Sequence, residues 1–146
     1  MDLDVFPEIL RRRAVEVGQV LEMEMFPEDK ITPKPGKESK LKRFVVVGKT
    51  HDGVVLAALV INSRINEKLF MRIGPYQHLL KAAENDFLTH DSYMNCFTLL
   101  EFEAKRVLPA ARYLGEFHDK DLKDCIDLAC SSPNIKPYLK KKFNFE

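Results

Sequence analysis

Two apolar runs rich in β-branched residues, joined by a short polar turn, constrain the fold of this chain more than any other feature. The runs cover residues 44–48 and 54–61. The Asp52-Gly53 pair between them supplies the positive φ that a tight hairpin turn needs. Neither run alternates cleanly between apolar and polar residues, so we expect both faces to be buried. The sequence therefore predicts an antiparallel hairpin within a small, strongly bent sheet or barrel.

The N-terminal third of the chain predicts a helix, a strand and a long loop. Apolar residues at helical spacing around Pro7 predict a short helix over residues 6–15. Between Gly18 and Pro27, apolar residues interleave with glutamates, which predicts a strand. Residues 27–42 carry three prolines and few apolar side chains, so they predict a long loop.

The C-terminal half is expected to add short strands and one amphipathic helix. Leu122, Cys125, Ile126 and Ala129 form an i, i+3, i+4, i+7 stripe, and Asp119 is a suitable N-cap for this helix. The expected architecture is mainly β, a small bent antiparallel barrel with a helix near each end. The remaining elements are predicted as strands at 69–73, 91–102 and 112–117 and as one or two helical turns at 77–84.

Length and composition favour one domain. A chain of 146 residues, 45% hydrophobic and 31% charged, can bury a core without disulfides. We expect that core at about 18–130, followed by a basic C-terminal tail at 131–146. The formal net charge of +1 does not by itself indicate nucleic-acid or lipid binding. The longest apolar run is far shorter than the roughly 20 residues of a membrane-spanning helix, and no secretory signal is visible, so a cytoplasmic setting is expected.

The sequence contains no familiar pattern for a metal or a cofactor. The four histidines are widely spaced and form no known ligand pattern with cysteines or carboxylates. Phosphate-binding glycine loops and the hydrolase nucleophile elbow do not occur. The three cysteines lack C-x-x-C spacing and are interpreted as reduced, buried and inert. We therefore expect neither a metal nor a cofactor.

Lysines cluster in the predicted loop and at the start of the strand after it. Such a run can neutralise several phosphates, although a solvated loop explains it equally well. Arg43 begins the second strand and Ser63 follows the third. An antiparallel hairpin should bring these two residues to one edge of the sheet, where they could hold a phosphate. The candidate phosphate-binding lysines are Lys34, Lys37, Lys40 and Lys42.

The order of these segments resembles the MazF/PemK (Kid, CcdB-like) family of plasmid-maintenance toxins. Residues 18–27 resemble the family's first strand, which opens with a glycine and an acidic residue. Arg43 and the apolar run after it resemble the start of the family's second strand, and its third strand ends in Thr or Ser, as residues 55–63 do. Asp91 begins a segment similar to the one before the family's last long strand. Residues 115–122 resemble its turn into a terminal helix.

The resemblance implies an SH3-like barrel, a homodimer and metal-independent cleavage of single-stranded RNA. It also implies an antitoxin protein as the neutralising partner in a type II toxin-antitoxin system. In this interpretation Arg43 stabilises the charged phosphate, Ser63 orients it and Asp91 acts as the base. His90 is a substitute for an arginine that some members place two residues before the aspartate, where this chain has Thr89.

A second hypothesis is a non-catalytic small barrel that binds protein or nucleic acid through the same groove, because small barrels carry many unrelated functions. One departure from the family pattern is Phe44, which stands where the family has a proline after the arginine. The two hypotheses differ in whether a general base is needed. RNA cleavage requires Asp91 or His90 close to Arg43 and Ser63, whereas a binding module requires neither.

Overall fold

The computed structural model describes residues 15–65 and 67–145, which form a β-sheet flanked by helices. No described helix, the longest having 12 residues, has the length and apolar character needed to cross a membrane. The strands are β1 (Gln19–Met25), β2 (Lys40–Lys49), β3 (Val55–Asn62), β4 (Gln77–Leu80), β5 (Ser92–Asn95), β6 (Leu100–Glu103) and β7 (Arg112–Glu116). The α-helices are α1 (Phe70–Ile73), α2 (Ala104–Ala110), α3 (Asp119–Cys130) and α4 (Pro137–Lys142).

The described strands form one antiparallel sheet. Its order is β4-β5-β3-β2-β1-β7, and β6 pairs with β3 outside this path. The predicted mainly β architecture is confirmed. Among the described residues, β4 and β7 stand at the two ends of the order, so the sheet is not closed into a barrel.

Strand β3 divides its outer edge between two partners. Residues 55–58 pair with β6, and residues 61–62 pair with β5. Within the described chain, the two residues between these pairings have no strand partner on that side. The segment that links β5 to β6 leaves the sheet at Asn95, whose Oδ1 accepts a hydrogen bond of 3.1 Å from the N–H of Phe97. A gap therefore opens beside β3.

Both faces of the β2–β3 hairpin are buried, as its continuous apolar runs predict. On one face, Val45 and Leu59 belong to a cluster that includes residues of α3 and α4. On the other face, Phe44 and Val60 belong to a cluster that includes residues of β6 and α2. Successive side chains of a strand point to opposite faces, so neighbouring residues of β2 enter different clusters.

The C-terminal segment carries part of the core, so the core extends beyond the predicted range of about 18–130 and residues 131–146 are more than a basic tail. Ile135, Leu139 and Phe143 are buried and join the cluster that contains Val45. Their four-residue spacing gives the segment an apolar side that packs on the sheet. The lysines at 140–142 lie between these anchors and are largely exposed.

Several predicted elements are confirmed: the first strand, the hairpin, the strand at 112–117 and the last amphipathic helix. Two boundaries differ. Strand β2 begins at Lys40, inside the predicted loop, because β1 pairs with it as far as that residue. Helix α3 starts with Asp119, and its N-cap is His118. The helix predicted over residues 6–15 lies outside the described residues, except for its last position.

Three predictions between residues 69 and 102 are wrong in whole or in part. Residues 70–73 are helical, because the outer edge of β5 is already taken by β4. The helical turns predicted over residues 77–84 are confined to one 3-10 turn at Ala82–Glu84, because residues 77–80 form a strand that pairs with β5. The strand predicted over residues 91–102 is interrupted, because β5 and β6 pair with different parts of β3.

Gly48 lies against the C-terminal segment, so a substitution at this position tests how the segment packs on the sheet. It lies at a register shift between β2 and β3, and a Cβ there would stand 2.9 Å from Phe143 Cβ and 3.0 Å from the ring of Phe145. Phe143 Cβ is attached to the backbone and cannot rotate away. We predict that Gly48→Ala lowers the free energy of unfolding by about 1–3 kcal/mol in urea denaturation. An unchanged midpoint would show that this segment does not pack on β2.

Candidate functional site

A groove of about 960 Å³, here called the polar groove, opens at the gap beside β3. Its lining comes from the loop before β2, the paired ends of β2 and β3, the segment after β3 and the adjoining ends of β4 and β5. Val60 and Leu100 supply its apolar base. The groove therefore combines residues on paired strands with residues on the loops that connect them, an arrangement typical of binding sites.

The charge of the polar groove is strongly one-sided although the whole chain is nearly neutral. Among the described residues that line it, Glu67 is the only carboxylate. Such a surface attracts anions by a field that the net charge of +1 does not reveal. The cationic residues of the lining are Lys30, Lys40, Lys42, Arg64 and Lys68.

Amide side chains form the opposite wall of the polar groove. Gln77 Nε2 donates a hydrogen bond of 2.9 Å to Asn95 Oδ1, and both residues line the groove. This bond leaves Gln77 Oε1 as an acceptor and Asn95 Nδ2 as a donor. Ser63 adds a hydroxyl near the end of β3. The groove can therefore bind a charged backbone and also form hydrogen bonds with neutral polar groups.

Lys42 lies on the groove side of β2. Its Nζ donates a hydrogen bond to Asn62 Oδ1, across the pairing of β2 with β3. The side chain is half-buried, and burial together with the positive charge of Lys40 lowers the pKa of Lys42 to about 8. Its ammonium group can therefore lose a proton near neutral pH, which an ordinary lysine does not do.

Arg43 faces the other side of the sheet. Its Nε lies 3.1 Å from Glu22 Oε2, and its Nη1 donates a hydrogen bond of 2.7 Å to the carbonyl oxygen of Phe87. Glu22 is buried and also accepts a 2.7 Å hydrogen bond from Arg112. Arg43 pairs with Ile61, so the predicted meeting of Arg43 with Ser63 does not occur in the groove.

The two acid–base candidates are exposed and lie at the start of β5. Asp91 Oδ1 accepts a 2.8 Å hydrogen bond from the N–H of Ala82, and His90 Nδ1 lies 3.2 Å from Thr89 Oγ1. The hydrogen bonds and ion pairs of the described residues join neither of them to Ser63. His90 and Asp91 therefore share one exposed strand end, Ser63 lines the polar groove, and Arg43 is bonded on the other face of the sheet.

The four candidate lysines divide into two pairs. Lys40 and Lys42 line the polar groove. Lys34 and Lys37 are exposed in the loop outside the groove lining, where a backbone hydrogen bond of 3.0 Å joins the two residues in a turn. The basic run of the sequence thus reaches the groove at its β2 end.

A buried ion pair fixes the beginning of this loop. Asp29 is 7% exposed, and its two carboxylate oxygens each accept a 2.7 Å hydrogen bond from Arg106 in α2. The hydrogen bond from Arg106 holds the pKa of Asp29 below its usual value, against the opposing effect of burial. Lys30, which lines the groove, follows directly, so the ion pair positions one end of the basic loop.

One group of possible metal ligands forms away from the polar groove. His78 Nε2 lies 2.9 Å from Asp121 Oδ1, and Asp124 offers a third ligand atom, all within 4.8 Å of one another. His78 is on β4 and the two aspartates are on α3, so their spacing in the sequence could not reveal this group. The direct bond between His78 and Asp121 already satisfies one atom of each.

The prediction of reduced, buried cysteines holds for two of the three. Cys96 and Cys125 are buried, free of disulfides and close to each other, whereas Cys130, which forms no disulfide either, is only half-buried. The neighbouring Cys96 thiol and burial raise the pKa of Cys125 far above its usual range. A thiol that stays protonated is a poor nucleophile and a poor metal ligand.

Comparison with known proteins adds no assignment. No protein-family model matches the chain, and no curated protein matches it. The functional interpretation therefore depends on the groove itself. Sequence reasoning missed Asn62, Gln77, Asn95 and Arg64. The alternation of β2 could have shown that Lys42 shares a face with Phe44 while Arg43 does not.

The surroundings of Arg43 predict a structural role that can be measured. Arg43→Gln leaves a carboxylate that is nine-tenths buried with only the exposed Arg112 as partner, so we expect a loss of about 1.5–3 kcal/mol in unfolding free energy. The matched control is Arg112→Gln, which removes the exposed partner of the same Glu22 and should cost at most about 1 kcal/mol. Loss of RNA cleavage in Arg43→Gln with unchanged stability would instead support a catalytic Arg43.

Proposed function

We propose that the chain binds single-stranded RNA in the polar groove and cleaves it without a metal ion, as the toxins it resembles do. The observation that carries the proposal is the lining of the groove, where five cationic side chains accompany a single carboxylate. Phosphates release counterions when such a surface binds them, which supplies affinity for any nucleic acid. The amide wall gives the groove hydrogen-bonding groups for the bases.

Single-stranded RNA fits this lining better than a duplex. Unpaired bases expose their hydrogen-bonding edges, which the free atoms of Gln77 and Asn95 can contact. Phe70 and Met71 come directly after Leu69, which lines the groove, and they are 54% and 92% exposed. They offer apolar surface on which a base can stack. A paired strand would hide its bases from both features.

Cleavage without metal is attack by the 2′-hydroxyl on the adjacent phosphate, which needs a cation and a hydrogen-bonding group near that phosphate. Ser63 and Lys42 both line the groove and can supply these groups. The cation of this proposal is therefore a groove lysine and not Arg43, the residue that the family resemblance implies.

The non-catalytic binding module is the alternative proposal, and a specific observation favours it. Arg43 is bonded to Glu22 and Phe87, and Asp91 is bonded to Ala82, so the residues that the resemblance assigns to catalysis already have structural partners. In this alternative the groove binds RNA or an acidic protein segment and performs no chemistry.

The remaining implications of the resemblance belong to the same proposal. They are an SH3-like arrangement of the open sheet, a homodimer and an antitoxin that covers the groove with acidic side chains, and we place this system in the cytoplasm. Two features support association. Strand β7 ends the sheet, and an apolar cleft of about 370 Å³ lies between Leu21, Val107 and the exposed Tyr113.

The proposed reaction predicts products that identify it. In a buffer with excess chelator, the protein should cut a single-stranded RNA of mixed sequence and leave 2′,3′-cyclic phosphate ends, because the 2′-oxygen is the nucleophile. Mass spectrometry of the fragments measures this. The control is a DNA of the same sequence, which lacks the nucleophile and should stay intact. Binding of the RNA without any cleavage would favour the non-catalytic module.

Salt dependence tests the position of the binding site. Lys40 and Arg64 line the polar groove, whereas Lys34 and Lys37 do not. We predict that Lys40→Gln with Arg64→Gln reduces the slope of log affinity against log salt by about 1.4, since each contact with a single strand contributes about 0.7. Fluorescence anisotropy with a labelled RNA gives the slope.

The matched control carries the same change of charge outside the groove, Lys34→Gln with Lys37→Gln. This pair should leave the slope nearly unchanged. An equal reduction in both double variants would contradict a site confined to the groove and would support RNA binding by the loop.

A further inference from the structure

We propose that Lys42 is the proton donor to the leaving 5′-oxygen of the RNA, which gives the polar groove its own acid catalyst. The inference rests on the proposed RNA cleavage and names a residue for one step of it. The geometry carries it. Lys42 is placed on the groove side of β2 by strand alternation, and Asn62 Oδ1 holds its Nζ from the neighbouring strand.

The position of Lys42 is fixed more firmly than that of Lys40 or Arg64. Lys40 and Arg64 are exposed, whereas Lys42 is half-buried at the base of the groove. Its hydrogen bond to Asn62 uses one of the three N–H groups of the ammonium. The other two can reach a bound phosphodiester, and a catalyst held by its neighbours loses little freedom on reaction.

Burial and one neighbouring cation, Lys40, make the proton of Lys42 easy to release. Lys40 precedes it on the same face of β2, Lys30 approaches from the loop, and Arg64, Glu67 and Lys68 approach from the segment after β3. From β4 and β5 the facing side chains are uncharged amides. Burial and Lys40 lower the pKa of Lys42 to about 8, and a donor that titrates near neutral pH transfers a proton more readily than an ordinary lysine.

In the proposed step the 2′-oxygen forms a bond to phosphorus and loses its proton to water, while the bond between phosphorus and the 5′-oxygen breaks. The 5′-oxygen takes a proton from the Lys42 ammonium and leaves as a 5′-hydroxyl. The products are a 2′,3′-cyclic phosphate and a neutral amine on Lys42, which solvent then protonates again.

The other basic candidates fit this role less well. Arg43 faces away from the groove, and a guanidinium does not release its proton in the neutral range. His90 is exposed and lies against Thr89 at the start of β5, outside the lining of the groove. Lys42 is the titratable cation that the groove itself holds in place.

The test uses Lys42→Arg, which keeps the positive charge and the hydrogen bond to Asn62 but cannot give up a proton. We expect RNA affinity within about threefold of the parent and a cleavage rate lower by about 10²- to 10⁴-fold, the usual contribution of acid–base catalysis. Lys123→Arg, an exposed change on α3, is the matched control and should cleave like the parent.

A pH profile separates a chemical role from a structural one. In the parent, kcat/KM should fall as pH rises through the pKa of Lys42, near 8. Asn62→Asp puts a negative charge beside the ammonium, raises that pKa and should move the fall to higher pH. A structural role would not move it.

The outcomes are distinguishable. A parent protein that binds but cuts no RNA overturns the proposed cleavage and this inference with it. A parent that cuts RNA while Lys42→Arg cuts equally fast overturns the inference alone and leaves the proposed function in place. An alkaline fall that Asn62→Asp does not move also overturns it.

Discussion

The antiparallel pairing of β2 with β3 is the constraint on which the rest of the site depends. Arg43 pairs with Ile61, and strand alternation then sends Arg43 to one face and Lys42 to the other. One face carries a buried carboxylate, Glu22, which needs a permanent cation beside it. The other face carries a solvent-filled groove. A slip of one residue would exchange the two cations and leave Glu22 without its partner.

The groove exists because β3 has more edge than either of its outer partners can cover. Strand β6 takes one part and β5 takes another, and the chain between them turns out of the sheet at Asn95. The loop before β2 closes the other side and is fixed at its start by Asp29 and Arg106. Polar side chains at the ends of β2 and β3 therefore line the groove, while the apolar middle of each of these strands stays buried.

Local signals predicted the local structures. The hairpin follows from β-branched runs and an Asp-Gly turn, and α3 follows from its apolar stripe, because both patterns are complete within a few residues. Strand β4 could not be predicted in this way, since Gln77–Leu80 is a strand only because β5 lies beside it. The same limit applies to the site. The partners of Arg43 lie 21 and 44 residues away, and no pattern near Arg43 indicates either of them.

The structural role of Arg43 and the proposed proton-donating role of Lys42 both follow from the chemistry of these side chains. An arginine keeps its charge at any physiological pH and offers a fixed fork of donors, so it suits the Glu22 carboxylate and the Phe87 carbonyl, which need a donor at all times. A lysine loses its proton more easily when it is buried near another cation, as Lys42 is near Lys40. Exchanging them would put a titratable group where a permanent charge stabilises the fold. It would also put a permanent charge where a proton must move, so the order of these two neighbouring residues suits both the stability of the sheet and the proposed chemistry of the groove.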